Sequence, residues 1–170
     1  MPLTLTELNS LDPRTFVARL GHVFEHAPWV AERVAGRRPF ASRDELHRSM
    51  LAVIGEASDD ERLALLRSHP DLAGRAAIAG DLTADSKKEQ AGVGLDRLSR
   101  EEYERFHALN SAYTTKFGFP FIFAVKGKTK DDILAAYAAR IDNDRATELR
   151  TALDQVGRIG GFRLTDAVVG

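Results

Sequence analysis

Apolar residues recur at three- and four-residue intervals along most of the chain, and the breaks between these runs carry helix start and stop signals. Asp12-Pro13 reads as an N-cap followed by a first-turn proline, after which Phe16, Val17, Leu20, Val23 and Phe24 fall at helical spacing. Ala27-Pro28 breaks that run, and Trp29, Val30 and Val34 predict a short helix closing at Gly36. Ser42-Arg43-Asp44-Glu45 and Ser58-Asp59-Asp60-Glu61 have the form of capping boxes. The first opens a helix with Leu46, Met50, Val53 and Ile54 inward, the second a helix with Leu63 and Leu66. A third box, Ser99 to Glu102, starts a long helix carrying Tyr103, Phe106, Leu109, Asn110, Tyr113 and Phe117. Thr129 caps a helix with Ile133, Leu134, Tyr137 and Ile141, and after Asp142-Asn143 the last helix runs from near Asp144 towards Asp166. Only Phe117 to Thr129, FGFPFIFAVKGKT, is strand-like, and it has no partner strand. The pattern predicts an all-α fold, a single domain over residues 1–170, as a bundle of about eight helices with one extended buried connection.

Polar residues that break this pattern are the candidates for chemistry. On the last helix Leu149, Leu153, Val156 and Gly160 form a stripe whose next step is Arg163. A guanidinium on an apolar face needs an anion, so Arg163 is either half of an internal salt bridge, or a snorkelling stem, or a ligand for a carboxylate or polar molecule. His69 ends an apolar helical run and precedes Pro70, which bars further helix at that point. Its bland reading is a helix C-terminal residue favoured by the helix dipole. Ser86, Glu89 and Gln90 bring a hydroxyl, a carboxylate and a carboxamide within five residues, although Ser86-x-x-Glu89 also fits a capping box. Between these groups lies a small-residue run (Ala73, Gly74, Ala76, Ala77, Ala79, Gly80) that allows close approach of chain segments. Taken together, a proton-transferring histidine, a carboxylate, an amide and an inward arginine suit acid–base work on a polar small molecule.

Composition narrows the classes without choosing among them. A chain of 170 residues with a net charge of −1 has no long-range field to draw in nucleic acid or an anionic membrane. The short basic groups, Arg37-Arg38 and Lys126, Lys128 and Lys130, read as solvated surface. There is no cysteine, which excludes disulfides, thiolate metal sites and a cysteine nucleophile. No secretory signal, membrane-length apolar run or peroxisomal address is visible, so the expected location is cytoplasmic.

Other motifs carry less. His22 and His26 are one turn apart, but no third ligand suggests itself, and no metal is expected. Lys126-Gly127-Lys128-Thr129 imitates the tail of a phosphate loop, yet its leading glycine would fall at Ile122. Gly92-Val93-Gly94 reads as a helix end, and His47 and His107 as ordinary helix residues.

Four motifs then share one frame: His69-Pro70-Asp71-Leu72-Ala73-Gly74, Asp85-Ser86-x-x-Glu89-Gln90, Leu109-Asn110-x-x-Tyr113 and Phe117-Gly118-Phe119-Pro120-Phe121-Ile122. In order and spacing the chain resembles the 2-oxo-4-hydroxy-4-carboxy-5-ureidoimidazoline (OHCU) decarboxylase family of urate degradation, from about Leu5 to Leu164. The resemblance implies an all-α, cofactor-free homodimer that converts OHCU to (S)-allantoin and carbon dioxide. It implies catalytic roles for His69 and Glu89, and substrate contacts for Pro70, Ser86, Gln90, Arg163 and the run Phe121, Ile122, Phe123, Ala124 and Val125, which borders the substrate and offers it backbone groups. Asp85 stands where the family commonly has glutamate. Some relatives carry a fused hydrolase or allantoicase domain; none is visible in this sequence.

In such a substrate the departing carboxylate sits beside a ring C=N, so the electrons left behind delocalise into the substrate and no organic or metal electron sink is needed. The implied mechanism gives His69 the proton traffic, tuned by Glu89. Arg163 and Gln90 bind the polar ring and ureido edges, with Ser86 a further hydrogen-bond partner. Two other readings stay open: a non-enzymatic module that binds a ureide or purine metabolite, and a hydrolase of a neighbouring ureide.

Overall fold

Capping chemistry sets where most of the helices begin. The computed structural model describes residues 1–74 and 81–170, and within them nine helices. These are α1 (Leu5–Ser10), α2 (Pro13–Leu20), α3 (Trp29–Ala35), α4 (Arg43–Glu56), α5 (Asp59–Arg67), α6 (Ala84–Gly92), α7 (Arg100–Phe117), α8 (Lys130–Arg140) and α9 (Arg145–Ala167). Two short strands, β1 (Leu3–Thr4) and β2 (Val168–Val169), pair in parallel with Leu3 against Val168. The all-α expectation holds, with this strand pair as a minor addition. Ala76, Ala77, Ala79 and Gly80 of the small-residue run lie outside the described residues.

The boxes at Ser58, Ser99 and Thr129 close reciprocally: each hydroxyl accepts from the N–H three residues on, and the carboxylate there accepts from the cap N–H. At Ser42 only half forms, because the Glu45 carboxylate accepts from the Ala41 N–H at 2.6 Å instead. A box that the apolar pattern does not announce, Thr4 with Glu7, opens α1, a helix with only Leu8 buried. Helix α2 stops at Leu20, so Val23 and Phe24 are buried from a turn rather than from a helical face.

The described residues gather into two compact units, 1–68 with 156–170, and 69–155. The first has a core built from Leu8, Phe16, Leu20, Val34, Leu46, Met50, Leu66 and Val156. Within it α3 packs on α2 and α4, and the Arg43 guanidinium donates to the Val168 carbonyl at 2.8 Å.

The second unit is centred on aromatic rings. Phe106, Tyr113, Phe117, Phe119, Phe121 and Tyr137 are all buried, with Tyr113 edge-on to Phe121 and Phe121 stacked on Tyr137 at 3.7 Å between centroids. Gly118, at φ +81°, ends α7 in the left-handed conformation that a side chain resists. From there to Thr129 the chain has neither helix nor strand, yet Phe119, Phe121, Ile122, Ala124 and Val125 are buried. The extended connection is therefore where the sequence placed it.

One reading of the last helix needs correction. Its buried face in the second unit carries Glu148 and Ala152, while Leu149 and Leu153 are half-buried. Further along, Val156, Gly160 and Arg163 are buried as the stripe predicts.

Candidate active site

Helix α5 ends at Arg67 with Ser68 as its C-cap, so His69 leaves the helix immediately before Pro70. His69 is buried and Pro70 half-buried. The following residues turn sharply, with Ala73 at φ +55°, a strained position for a residue with a β-carbon. Two carboxamides hold that turn. Gln90 accepts from the Ala73 N–H at 2.9 Å and donates to the Asp71 carbonyl at 3.2 Å, and Asn110 donates to the Leu72 carbonyl at 2.8 Å. Burial pushes the Asp71 carboxyl above the ordinary carboxylate range, opposed in part by the charge of His107.

Thr83, not Ser86, caps α6: its hydroxyl accepts from the Ser86 N–H at 3.3 Å. Ser86 is thus inside the first turn, and the capping explanation of Ser86-x-x-Glu89 does not apply. Ser86 and Gln90, one turn apart, are both buried, with Glu89 half-buried beside them. The carboxamide of Gln90 reaches the turn after His69.

The run Phe121 to Val125 is anchored from several directions. The Ile122 carbonyl accepts from Arg140 at 2.7 Å, the Ala124 N–H donates to Gln155 at 2.9 Å, and the Val125 carbonyl accepts from Lys128 at 2.9 Å. Among the described residues the N–H groups of Ile122, Phe123 and Val125 find no protein acceptor. Ile122 and Val125 are buried and Phe123 half-buried, so these donors are open to water or a ligand. Phe121 is fully buried between Tyr137 and the Arg140 guanidinium, which lies 4.4 Å from its ring centroid, so its side chain belongs to the core.

Arg140 and Glu148 escaped the sequence reading. Arg140 donates to Glu148 at 2.8 Å and to the Tyr113 hydroxyl at 3.3 Å, while Glu148 also accepts from Tyr113 at 2.5 Å and Asn143 at 3.0 Å. Burial first, and then the hydrogen bond to Glu148, push the Tyr113 hydroxyl well above the usual phenol range. For Tyr137 burial and then the Asp71 charge act the same way, so both phenols stay protonated donors. The sequence signal for Glu148 was its four-residue spacing to Ala152 and Val156, which competes with the more apolar Leu149 and Leu153.

Arg163 lies in the first unit. Its guanidinium donates to the Glu25 carboxylate at 3.1 Å and to the His22 carbonyl at 3.4 Å, and both charged residues are buried. Glu25 is held in turn by the Ser68 hydroxyl, which donates to its carbonyl at 2.8 Å. A β-carbon at Gly160, one turn before Arg163, would lie 2.6 Å from two carbons of the Phe24 ring. Among the described residues no group of three or more His, Asp or Glu side chains is placed to hold a metal ion. No described helix is long and apolar enough to cross a membrane.

Such a fold and such groups define a helical protein with a buried histidine at a helix end, a polar helix face whose Gln90 reaches the turn after it, and an extended run of open peptide donors. The profile of the OHCU decarboxylase family matches residues 9–165, and the chain belongs to that family. It is 47% identical over 164 residues to a 2-oxo-4-hydroxy-4-carboxy-5-ureidoimidazoline decarboxylase of Haloferax volcanii, covering 96% of this chain and 95% of that protein. It is also 44% identical to the uric acid degradation bifunctional protein PucL of Bacillus subtilis, over 97% of this chain and 33% of that longer protein. Among solved structures, an (S)-allantoin synthase superposes with a TM-score of 0.80 at 31% identity, covering 99% of this chain and 54% of that one. An OHCU decarboxylase crystallised with (S)-allantoin shares the fold, with a TM-score of 0.65 at 19% identity, over 81% of this chain and 89% of that one.

Proposed function

We propose that this protein decarboxylates OHCU to (S)-allantoin in urate degradation. The observation that carries the reading is membership of the OHCU decarboxylase family across residues 9–165, with a decarboxylase relative 47% identical over nearly its whole length. A single family match of that extent also supports treating residues 1–170 as one functional domain. We extend the reading to a cytoplasmic, cofactor-independent homodimer acting on a small molecule, on the strength of that membership.

In the reaction the bond to the departing carboxylate breaks and its electron pair enters the adjacent ring C=N. The ring nitrogen and the ureido-bearing carbon each take up a proton, the hydroxyl loses one as the carbonyl forms, and carbon dioxide leaves. The substrate is its own electron sink, so the protein's work is orientation, exclusion of water and proton control. His69 handles the proton traffic and Glu89 tunes it; delivery to one face of the ureido-bearing carbon sets the S product. Burial of His69 and its placement immediately after a helix end support this role, because a fixed imidazole shuttles protons along one direction. Ser86, Gln90 and Arg163 bind polar ring and ureido edges. Pro70 and the run Phe121, Ile122, Phe123, Ala124 and Val125 border the substrate, and the open N–H groups of that run suit its carbonyl oxygens.

The test is circular dichroism of OHCU generated in place from urate by urate oxidase and hydroxyisourate hydrolase, with and without the protein. Fast loss of the OHCU signal with growth of the (S)-allantoin signal is the expected result; decay at the spontaneous rate to racemic product would sink the reading. His69→Asn should reduce turnover by at least about 10²-fold with helicity unchanged.

A further inference from the structure

The Asn110-x-x-Tyr113 motif is left unused by the chemistry above. Asn110 and Tyr113 are one turn apart on α7 and buried, and α8 sets against them Tyr137 and Arg140, also one turn apart and buried. The four side chains meet in two rungs. In the first, the Tyr137 hydroxyl donates to Asn110 Oδ1, and Asn110 Nδ2 donates onward to the Leu72 carbonyl at 2.8 Å. In the second, Arg140 donates to the Tyr113 hydroxyl at 3.3 Å and, through its other terminal nitrogen, to the Ile122 carbonyl at 2.7 Å. Glu148 fixes the charge of that rung by accepting from Arg140 at 2.8 Å and from Tyr113 at 2.5 Å.

Each rung therefore ends on a backbone carbonyl outside both helices. One belongs to the turn that follows His69-Pro70, the other to the run from Phe121 to Val125. The rungs also share a ring, since Phe121 is stacked on Tyr137 and lies against the Arg140 guanidinium. Asparagine suits the first rung because one end of its amide accepts and the other donates. Arginine suits the second because its planar fork spreads donors from three separate nitrogens towards three separate acceptors, whereas an ammonium is a single point. Buried polar groups satisfied in this way resist displacement, and so does whatever backbone they hold.

We propose that Asn110, Tyr113, Tyr137 and Arg140 form a positioning ladder that keeps the turn behind His69 and the peptide donors of 122–125 in their working places. The first rung governs the turnover step through His69; the second governs substrate affinity through the 122–125 run. The ladder rests on the decarboxylase reading for its effect on catalysis, but not for its effect on local opening.

The experiment compares the full chain with Tyr137→Phe, which removes only a hydroxyl, and Arg140→Lys, with Tyr113→Phe as a milder probe of the second rung. Kinetics are followed by circular dichroism on OHCU, and amide hydrogen exchange is read at Ala73 and Ala124. Tyr137→Phe should lower kcat about tenfold with KM little changed, whereas Arg140→Lys and Tyr113→Phe should raise KM, the lysine variant by about tenfold. Exchange should quicken at Ala73 in the first variant and at Ala124 in the other two. Folded variants with unchanged constants would overturn the ladder. So would losses of kcat that merely follow the folded fraction, with no split between kcat and KM. If the unsubstituted protein does not turn over OHCU, the functional reading fails, and the exchange data alone decide the ladder: unchanged exchange at both amides refutes it.

Discussion

Arg140 with Glu148 in the second unit, and Arg163 with Glu25 in the first, are the same chemical pair built in two ways. Arg140 makes bonds of 2.7 and 2.8 Å to the Ile122 carbonyl and Glu148, and Glu148 takes three donors. Arg163 meets Glu25 at 3.1 Å and the His22 carbonyl at 3.4 Å. The tight pair is a closed knot whose every arm serves the fold. In the other pair both of these bonds are longer. A buried arginine is therefore weak evidence for a ligand until the quality of its internal pairing is known.

The largest effect expected from this contrast is on stability. Glu148→Leu strands the Arg140 charge and removes the acceptor of Tyr113 and Asn143, so chemical denaturation should show a loss of about 3–5 kcal/mol. A loss below about 1 kcal/mol would mean that the knot is no tighter than a surface pair. Next comes Arg163→Lys, which keeps a cation beside Glu25 but loses the planar fork. KM for OHCU should rise about tenfold with little change in the denaturation midpoint. An unchanged KM would make Arg163 an internal bridge like Arg140. The smallest effect separates these buried pairs from exposed ones present in both units. Bonds from Arg33 and the Ser58 N–H hold the Glu61 carboxyl below its ordinary range, and bonds from the Ser99 N–H and Lys130 do the same for Glu102. A depressed carboxyl contributes stability that is complete above its ordinary pKa, near 4.5, and is lost as pH falls through the lower folded value. Protection of the amides at the starts of α5 and α7, taken relative to their intrinsic exchange rates, should therefore fall together below that pH; a fall at only one would show that the cap of the other is redundant.

What the sequence conveyed divides along the range of the interactions. The boxes at Ser58 and Ser99 were readable because a cap and its carboxylate are three residues apart, and Thr129 was readable as a cap. Arg163 was readable because Val156 and Gly160 share its face of the last helix. Glu148 was not, since what lets a carboxylate displace Leu149 from the core is a tyrosine 35 residues away and an arginine eight away. Thr83 was passed over for the opposite reason: Ser86-x-x-Glu89 offered a more regular capping pattern, and only the geometry shows which hydroxyl starts α6. The family was recognisable from the order and spacing of the motifs, but the jobs of Gln90 and Asn110 on the turn after His69 are long-range and belong to the structure.

The approach of Phe24 to Gly160 gives the first unit a length standard made of missing matter. Phe24 precedes Glu25 in the chain, and Gly160 stands one turn before Arg163, so the gap between ring and helix bears on the gap between the two charges. With only 2.6 Å available to an added carbon, even alanine there would have to move the ring or the helix. A single uncharged methyl group would then act on the reach of a guanidinium, and a neutral substitution would read in an assay as a change in electrostatics.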